Sequence, residues 1–216
     1  MNIIIFGPPG AGKGTQSDFI VKNFNLFKIS TGDLLRKEIK RQTPLGLKIT
    51  SIVNSGSLVS DEIINNLIEN IVSNNEYVNR IIFDGYPRNL PQAENLNKLL
   101  LKYNQKIDIV IKLKVSLDVI KKRITGRLTC SKCSKIYNEF FSPPPSDTIC
   151  CKGGILQKRG DDNVDVAIKR YETYEESTEP VLEFYKKMDL VKDLDGEMNI
   201  KSIQSKISDY LTVIEG

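Results

Sequence analysis

Residues 2 to 15 read NIIIFGPPGAGKGT, an apolar run followed at once by a glycine-rich loop. The run from Asn2 to Phe6 has the length of a strand, and its lack of polar alternation is typical of a parallel strand buried on both faces. The residues from Gly14 to Asn23 follow with a helical pattern. A glycine-rich loop between a strand and a helix is the context in which proteins bind phosphate groups.

The chemistry of this loop depends on its backbone and on one lysine. Glycines let backbone N–H groups turn towards a phosphate, and the helix N-terminus adds positive potential. Lys13 would neutralise charge that moves between phosphates during transfer. After Lys13 stands Gly14, where Ser or Thr usually contacts magnesium, and Thr15 comes one position later. We therefore expect Asp84, which ends a later apolar run, to hold the magnesium; the competing interpretation is an ordinary strand-end carboxylate.

Strand and helix patterns alternate along the chain. Further apolar runs of strand length occupy residues 26–29, 80–84, 108–113 and 190–194. Residues 60–72 predict a helix with Ser60 as its N-cap, and its apolar face consists of Ile63, Ile64, Leu67, Ile68, Ile71 and Val72. This alternation predicts an α/β fold of three layers, with a five-stranded parallel sheet between helices.

Two stretches interrupt the alternation and are expected outside the sheet. Residues 30–59 have a helical pattern with glycines, and residues 126–162 contain all the cysteines, three consecutive prolines and two consecutive glycines. The second composition is typical of a small loop-rich subdomain. The predicted core therefore comprises residues 1–29, 60–125 and 163–216.

Composition excludes several classes of function. The chain has 216 residues, of which 40% are hydrophobic and 27% charged, as in a soluble globular protein. It contains no histidine, so a catalytic imidazole and a Ser/His/Asp triad are excluded. The net charge of +4 does not by itself indicate nucleic acid. The first residues resemble neither a signal peptide nor a membrane span, and we expect a cytoplasmic protein without membrane contacts.

Three motifs together resemble the adenylate kinases, in particular their long bacterial form. They are the phosphate loop, STGDLLR at residues 30–36, and DGYPR at residues 84–88 with Gln92. The resemblance extends from Asn2 to about Asn199. It implies a monomeric enzyme of adenine nucleotide homeostasis that transfers the terminal phosphoryl group of ATP to AMP, reversibly and with Mg²⁺, giving two ADP. It also implies that residues 30–59 form a flap over the monophosphate and that residues 126–162 form a lid.

The resemblance assigns site residues position by position. The ATP-binding residues would be Gly10, Ala11, Gly12, Lys13, Gly14, Thr15, Arg123, Arg127, Ile136, Tyr137 and Met198. The AMP-binding residues would be Thr31, Arg36, Ser57, Leu58, Val59, Gly85, Tyr86, Pro87, Arg88, Gln92, Arg159 and Arg170. The catalytic residues would be Lys13, Arg88, Arg123, Arg159 and Arg170.

The arginines fit this assignment on physical grounds, because guanidinium groups match phosphate oxygens bidentately. All of them except Arg41 and Arg80 lie on motif positions. A helix running from Arg159 to Arg170 would let both reach the phosphates from one side, where Arg88 would join them. No general base is needed, because the accepting phosphate oxygen is already ionised at pH 7.

Two carboxylates are expected to position arginines, and two glycines are expected to act as hinges. The resemblance implies that Asp161 and Asp162 hold lid arginines in place, and the competing interpretation is a pair of solvated turn carboxylates. Flap and lid are expected to close and exclude water, with hinges near Gly56 and Gly126.

The cysteines suggest a structural metal. Cys130 and Cys133 form a CxxC pair, and Cys150 follows at the spacing of a small zinc ribbon. In related lids that bind zinc the fourth ligand comes three positions after the third, where this chain has Gly153. The remaining thiol, Cys151, is adjacent to the third, and two consecutive ligands strain a tetrahedral site unless the backbone bends.

Three arrangements of the lid therefore stay open. Zinc is bound by Cys130, Cys133, Cys150 and Cys151, or it is completed by Asp147 or water, or the lid is metal-free. A redox role of the CxxC pair is disfavoured, because the pair does not begin a helix after a strand.

Other functions remain as alternatives. A kinase acting on CMP or UMP would use the same phosphate chemistry, although Thr31 favours AMP, and GTP would be an alternative donor. A zinc-ribbon nucleic-acid binder would leave the phosphate loop unexplained.

Overall fold

A computed structural model describes residues 1–145 and 149–215. The structure is a mixed α/β protein. In chain order the elements are β1 (Ile3–Phe6), α1 (Lys13–Phe24), β2 (Phe27–Ser30), α2 (Thr31–Lys40), α3 (Pro44–Asn54), α4 (Asp61–Val72), β3 (Ile81–Asp84), α5 (Leu90–Lys102), β4 (Ile109–Lys114), α6 (Leu117–Thr125), β5 (Arg127–Cys130), β6 (Ile136–Asn138), β7 (Ile149–Cys151), β8 (Gly154–Gln157), α7 (Val164–Thr173), α8 (Val181–Lys186), β9 (Val191–Asp195) and α9 (Ile200–Glu215). A 3₁₀ turn at Asn75–Tyr77 and a π-helical turn at Tyr174–Thr178 join neighbouring helices and strands.

The main sheet has the strand order β2-β3-β1-β4-β9, and its strand pairs are parallel. Among the described residues it contains five strands, which overlap the five apolar runs of the sequence. The expected α/β fold with a parallel sheet is confirmed. Because β1 lies in the middle of the sheet and ends at the glycine-rich loop, the loop opens at the carboxyl edge of the sheet, where α/β proteins bind ligands.

Both faces of the sheet are covered by helices, which gives the three layers. Along β1, Ile4 and Phe6 pack with buried side chains of α4, α5 and α8, whereas Ile3 and Ile5 pack with those of α1 and α9. Successive side chains of a strand point to opposite faces, so an uninterrupted apolar strand can supply both cores.

The predicted helix and its N-cap residue are confirmed. Ser60 occupies the N-cap position of α4, although its side chain makes no capping hydrogen bond. The apolar face of α4 is as expected, with Ile64, Ile68 and Val72 buried. This helix is therefore held by burial of its apolar face and not by its cap.

The stretches outside the main sheet have distinct structures. Helices α2 and α3 pack against each other, and a Cβ at Gly46 would collide with the carbonyl group of Glu38 in α2. Strands β5 to β8 form a separate antiparallel sheet of order β6-β5-β8-β7, which we call the lid sheet. In the described ranges no helix is both long and apolar enough to cross a membrane.

Candidate functional site

A cleft of about 1710 Å³ opens at the carboxyl ends of β1, β2 and β3. This volume exceeds the roughly 300–1,000 Å³ of a typical small-molecule site, so the cleft has room for more than one ligand. Every residue that the sequence assigned to nucleotide binding lines it, as does Asp84. The folded chain thus brings together segments that lie as far apart as Gly10 and Met198.

At one end of the cleft lies the glycine-rich loop before α1. Gly10 and Gly12 have φ values of 82° and 98°, which residues with a Cβ rarely adopt. The Lys13 ammonium group donates hydrogen bonds to the carbonyl oxygens of Gly7 and Pro8 at 2.7 and 3.1 Å. Burial lowers the pKa of Lys13 to about 8, although the nearby Asp84 opposes this shift. An anionic ligand at the loop would relieve this desolvation cost.

Asp84 ends β3 between two partners of the sheet, beside Ile5 of β1 and Ser30 of β2. Burial raises the pKa of Asp84, and the positive charges of Lys13 and Lys28 act in the opposite direction. Over residues 1–145 and 149–215 no side chain donates a hydrogen bond to this carboxylate. A buried carboxylate with free oxygen atoms in a phosphate-binding cleft fits a ligand of Mg²⁺ or of its water shell.

A second part of the cleft is organised by hydrogen bonds around Gly85. The Thr31 hydroxyl and the Arg88 Nε both donate to the Gly85 carbonyl, each at 2.8 Å. Gln92 accepts a hydrogen bond from the Arg88 backbone N–H at 2.7 Å through its Oε1. Burial, followed by the neighbouring charge of Arg170, lowers the pKa of Arg88 to about 10. These contacts hold a hydroxyl and a desolvated guanidinium group at one wall.

Asp61 is a site residue that the sequence analysis did not select. Its carboxylate accepts hydrogen bonds from Gln92 Nε2 at 2.6 Å and from Asn89 Nδ2 at 3.0 and 3.2 Å. Asp61 therefore fixes the orientation of the Gln92 amide, which in turn positions Arg88. No local pattern signals this contact, because an acidic residue in a first helical turn is common without any such role.

Two further arginines of the cleft, Arg127 and Arg170, are held by carboxylates. Asp162, whose side chain is fully buried, forms a bidentate ion pair with Arg127 of β5. Asp161 pairs with Arg170 of α7 at 2.5 Å, and Arg170 also donates a hydrogen bond to the Val53 carbonyl at 3.4 Å. Of these two arginines only Arg127 lies within the expected lid range; Arg170 belongs to a helix beyond it.

Arg159 has a different setting from the one expected. The structure contradicts a continuous helix from Arg159 to Arg170, because α7 begins at Val164 and Arg159 lies in the preceding loop. Both arginines nevertheless line the cleft with Arg88. Burial lowers the pKa of Arg159 to about 10, and the charges of Arg127 and Arg36 add to this effect. A cluster of desolvated cations faces the cleft, which is the electrostatic requirement for binding several phosphate groups.

Arg123 and two phenylalanines form a further wall near the glycine-rich loop. Arg123 donates hydrogen bonds to the carbonyls of Ala11 and Gly196 at 3.1 and 2.8 Å, and its guanidinium carbon lies 5.3 Å from the centre of the Phe141 ring. Phe140 and Phe141 line the cleft while remaining exposed. Sequence analysis missed them; the available signal was a pair of adjacent aromatic residues shortly after Tyr137.

The cysteines of the lid sheet form one cluster, in which the Sγ atoms of Cys130, Cys133, Cys150 and Cys151 all lie within 4.8 Å of one another. The Cys130–Cys151 and Cys133–Cys150 separations are 3.8 and 3.5 Å. Sulfur atoms around a tetrahedral zinc ion with Zn–S bonds near 2.3 Å are separated by about 3.8 Å. Backbone N–H groups of Cys133 and Lys132 lower the pKa of Cys130 to about 6, which favours its thiolate.

Two backbone features allow consecutive cysteines to face the same point. The pairing of β7 with β8 shifts register between Ile149 and Cys151, so the strand is irregular at Cys150. A Cβ at Gly154 would lie 2.5 Å from the Cys130 sulfur and 2.7 Å from the Cys151 sulfur. The donor set therefore fits a zinc ion, whereas the alternative ligand Asp147 lies outside the described residues.

Comparison with known proteins adds an independent finding. Residues 5–190 match the family model described as adenylate kinase. The chain is 51% identical over 213 residues to the adenylate kinase of Pelagibacter ubique, covering 99% of this chain and 100% of that protein. It is 42% identical to the adenylate kinase of Pelobacter propionicus, covering 98% and 96% of the two chains, and 38% identical to that of Bacillus subtilis, covering 98% of each. These similarities extend over nearly the whole length of the chains compared.

Proposed function

The chain belongs to the adenylate kinase family and transfers the terminal phosphoryl group of ATP reversibly to AMP, and we propose that the residues of the cleft divide this reaction among them as follows. The observation that carries the proposal is that one cleft is lined both by the phosphate loop and by Thr31 and Arg88 from other segments of the chain. Two nucleotides, one at each of these groups of residues, would bring their phosphates together between the arginines.

The donor end would hold ATP. Backbone N–H groups from Gly10 to Thr15 would bind its phosphates, with Lys13 beside them. Arg123, Arg127, Ile136, Tyr137 and Met198 line the same part of the cleft. Mg²⁺, held by Asp84 directly or through water, would neutralise charge on the phosphates when bound.

The acceptor end would hold AMP. Arg36 and Arg88 would bind its phosphate, and Gln92, held by Asp61, would bind the base together with the backbone of Ser57, Leu58 and Val59. Arg36 pairs with Asp33 at 2.5 Å, so the AMP phosphate would compete with that carboxylate. Tyr86 and Pro87 complete the wall.

The transferring group would lie between Lys13, Arg88, Arg123, Arg159 and Arg170. Negative charge spreads over its oxygens in the transition state, so fixed cations stabilise it more than they stabilise the separate nucleotides. Asp161 would orient Arg170 through their ion pair, and Asp162 would do the same for Arg127. No residue needs to remove a proton, because the acceptor oxygen is ionised.

We further propose the division into a core, a flap of residues 30–59 and a lid of residues 126–162, with the flap and lid closing during turnover. Closure would exclude water from the ATP phosphates. The four cysteines would hold a structural zinc ion in the lid, which takes no part in the chemistry; the support is the size of the sulfur cluster and the fit of Gly154 against it. We place the enzyme in the cytoplasm as a monomer, as the family resemblance implies.

The test is a substrate assay with the purified full chain. MgATP is offered with AMP, CMP, UMP or GMP, and MgGTP is offered with AMP, while chromatography resolves the products. The proposal predicts rapid formation of two ADP from ATP and AMP. Preference for CMP or UMP would overturn the assignment of Thr31 to AMP selection, and preference for GTP would overturn the donor assignment. Light scattering on the same sample tests the monomer.

A further inference from the structure

An ion pair with no assigned role lies at the floor of the cleft. Lys28 of β2 and Asp18 of α1 both line the cleft, and the Lys28 ammonium contacts the Asp18 carboxylate. The Lys28 side chain is mostly buried, at 24% exposure, whereas that of Asp18 is 62% exposed. The stem of Lys28 is therefore buried, and its ammonium group is held at the edge of the cleft by a largely exposed carboxylate.

Strand register places Lys28 next to the magnesium position. In the β2–β3 pair, Ser30 lies beside Asp84, and Lys28 lies beside Ile82 two residues earlier. Because side chains two residues apart share a face, Lys28 stands on the same face of the sheet as Asp84, about 7 Å along the strand. This is the face on which Ile82 packs with Ile20 of α1, the helix that carries Asp18. The order of charges along this face is therefore Lys13, Asp84, Lys28 and Asp18, with alternating sign.

We infer that Lys28 and Asp18 are positioning residues that set how strongly Asp84 attracts a divalent cation. The inference rests on the proposed function, because it takes Asp84 as the magnesium residue. The positive charge of Lys28 weakens the field that Asp84 presents to a cation, and Asp18 partly cancels that charge. Reversible turnover requires the cation to leave with each nucleotide, so moderate attraction suits the reaction better than tight retention.

Two variants that break the same ion pair are expected to change the affinity for a divalent cation in opposite directions. Lys28→Met removes the positive charge and should tighten binding of a divalent cation. Asp18→Asn leaves Lys28 without its counter-ion and should weaken binding. At this separation, and with the partial screening of a cleft open to water, each shift should be about threefold to tenfold. Lys28→Arg keeps the charge and should restore the behaviour of the unmodified chain.

The experiment measures Mn²⁺ binding by the full chain in complex with the non-transferable ATP analogue AMP-PNP. The protein is in excess over the analogue, and electron paramagnetic resonance reports free Mn²⁺ at pH 8 and low salt. Lys22→Met is the matched control, because it removes a lysine near the end of α1, the helix that carries Asp18. Thermal unfolding of each variant reports the structural cost of losing the ion pair.

The outcomes separate the inference from the function on which it rests. Opposite shifts in the Mn²⁺ dissociation constant for Lys28→Met and Asp18→Asn, with Lys22→Met unchanged, support the inference. Shifts of the same sign, or none, overturn it, since a purely structural ion pair would affect both variants alike. If Asp84→Asn binds Mn²⁺ as the unmodified chain does, the assignment of Asp84 in the proposed function fails instead. The Mg²⁺ concentration for half-maximal turnover should follow the same order, with the KM for AMP unchanged.

Discussion

The main sheet and the lid sheet are stabilised by different kinds of contact. In the main sheet Ile3, Ile4, Ile81, Ile82 and Phe83 are fully buried, and helices cover both faces. In the described part of the lid sheet and its connections, residues 127–145 and 150–157, only Cys130, Tyr137 and Gly154 are buried. Apolar burial is therefore sufficient for the core, whereas the lid sheet depends on its sulfur cluster and on the Arg127–Asp162 pair.

This difference shows which side chains of the cleft are held by many contacts and which are held by few. Groups at the ends of the parallel strands, such as Asp84, are fixed by a close-packed interior. Groups on the lid sheet, such as Arg127 and Tyr137, are fixed by fewer contacts, as the proposed closure of the lid requires. Four changes test this contrast.

Phe83→Ala should cause the largest loss, because it opens a cavity in the centre of the core. The free energy of unfolding should fall by about 3–5 kcal/mol. Ile155→Ala in β8 is the matched change in the lid sheet, and since Ile155 is 63% exposed the fall should be within about 0.5 kcal/mol. Urea unfolding followed by circular dichroism measures both values. Equal losses at the two positions would contradict the contrast.

Arg88→Ala should lower turnover without lowering the stability of the protein. Removing a cation that is proposed to contact the transferring group should lower kcat by about 10²–10³-fold. Stability should not fall, because burial already disfavours the charged form of Arg88, as its lowered pKa indicates. Steady-state kinetics and thermal melting provide the two readouts, with the exposed Arg80→Ala as control. Unchanged turnover of Arg88→Ala would remove this residue from the mechanism.

Metal removal should affect the lid sheet alone. Treatment with a strong chelator should increase hydrogen exchange of backbone amides in β5 to β8, while β1 and β3 keep their protection. Once the chelator has been removed and Mg²⁺ restored, turnover should fall severalfold, because Arg127 and Tyr137 of the lid sheet line the cleft where ATP is proposed to bind. Cys133→Ser should reproduce both changes, and chelation of that variant should add nothing further. Identical exchange before and after chelation would favour the metal-free lid.

The smallest effect concerns the proton on Lys13. With a pKa of about 8, roughly half of the Lys13 side chains are neutral at pH 8 in the free protein. Phosphates of bound ATP favour the charged form and raise this pKa, so binding at pH 8 should take up about half a proton, and uptake should vanish near pH 6. Calorimetry in two buffers of different ionisation enthalpy measures the uptake. Lys13→Arg remains protonated throughout and should show none; uptake by this variant would assign the proton elsewhere.

Local patterns of the sequence were enough to predict the main sheet and the phosphate loop. The strands are uninterrupted apolar runs, and the loop occupies nine consecutive residues from Gly7 to Thr15. Periodicity and turn chemistry act over such short distances, so a stretch of neighbouring residues carries the whole signal. The grouping of the arginines in one cleft followed from the family resemblance and not from these patterns.

Contacts between distant segments were not predictable in the same way. Asp61 holds Gln92 across 31 residues, and Lys28 meets Asp18 only because β2 and α1 pack together. Likewise, the irregular pairing at Cys150 depends on how β7 meets β8. Each of these contacts forms only in the folded chain. The residues that make them are common types without a distinctive local pattern, so the sequence alone does not indicate the contacts.

Gly154 gives the lid an unusual genetic vulnerability. Any side chain at this position would place a carbon atom against the sulfurs of Cys130 and Cys151. Every missense mutation of a glycine codon introduces such a carbon. Any amino-acid change at position 154 should therefore disturb the cysteine cluster, even though all four cysteines are still encoded. A survey of natural variants that inspects only cysteine codons would classify such alleles as harmless.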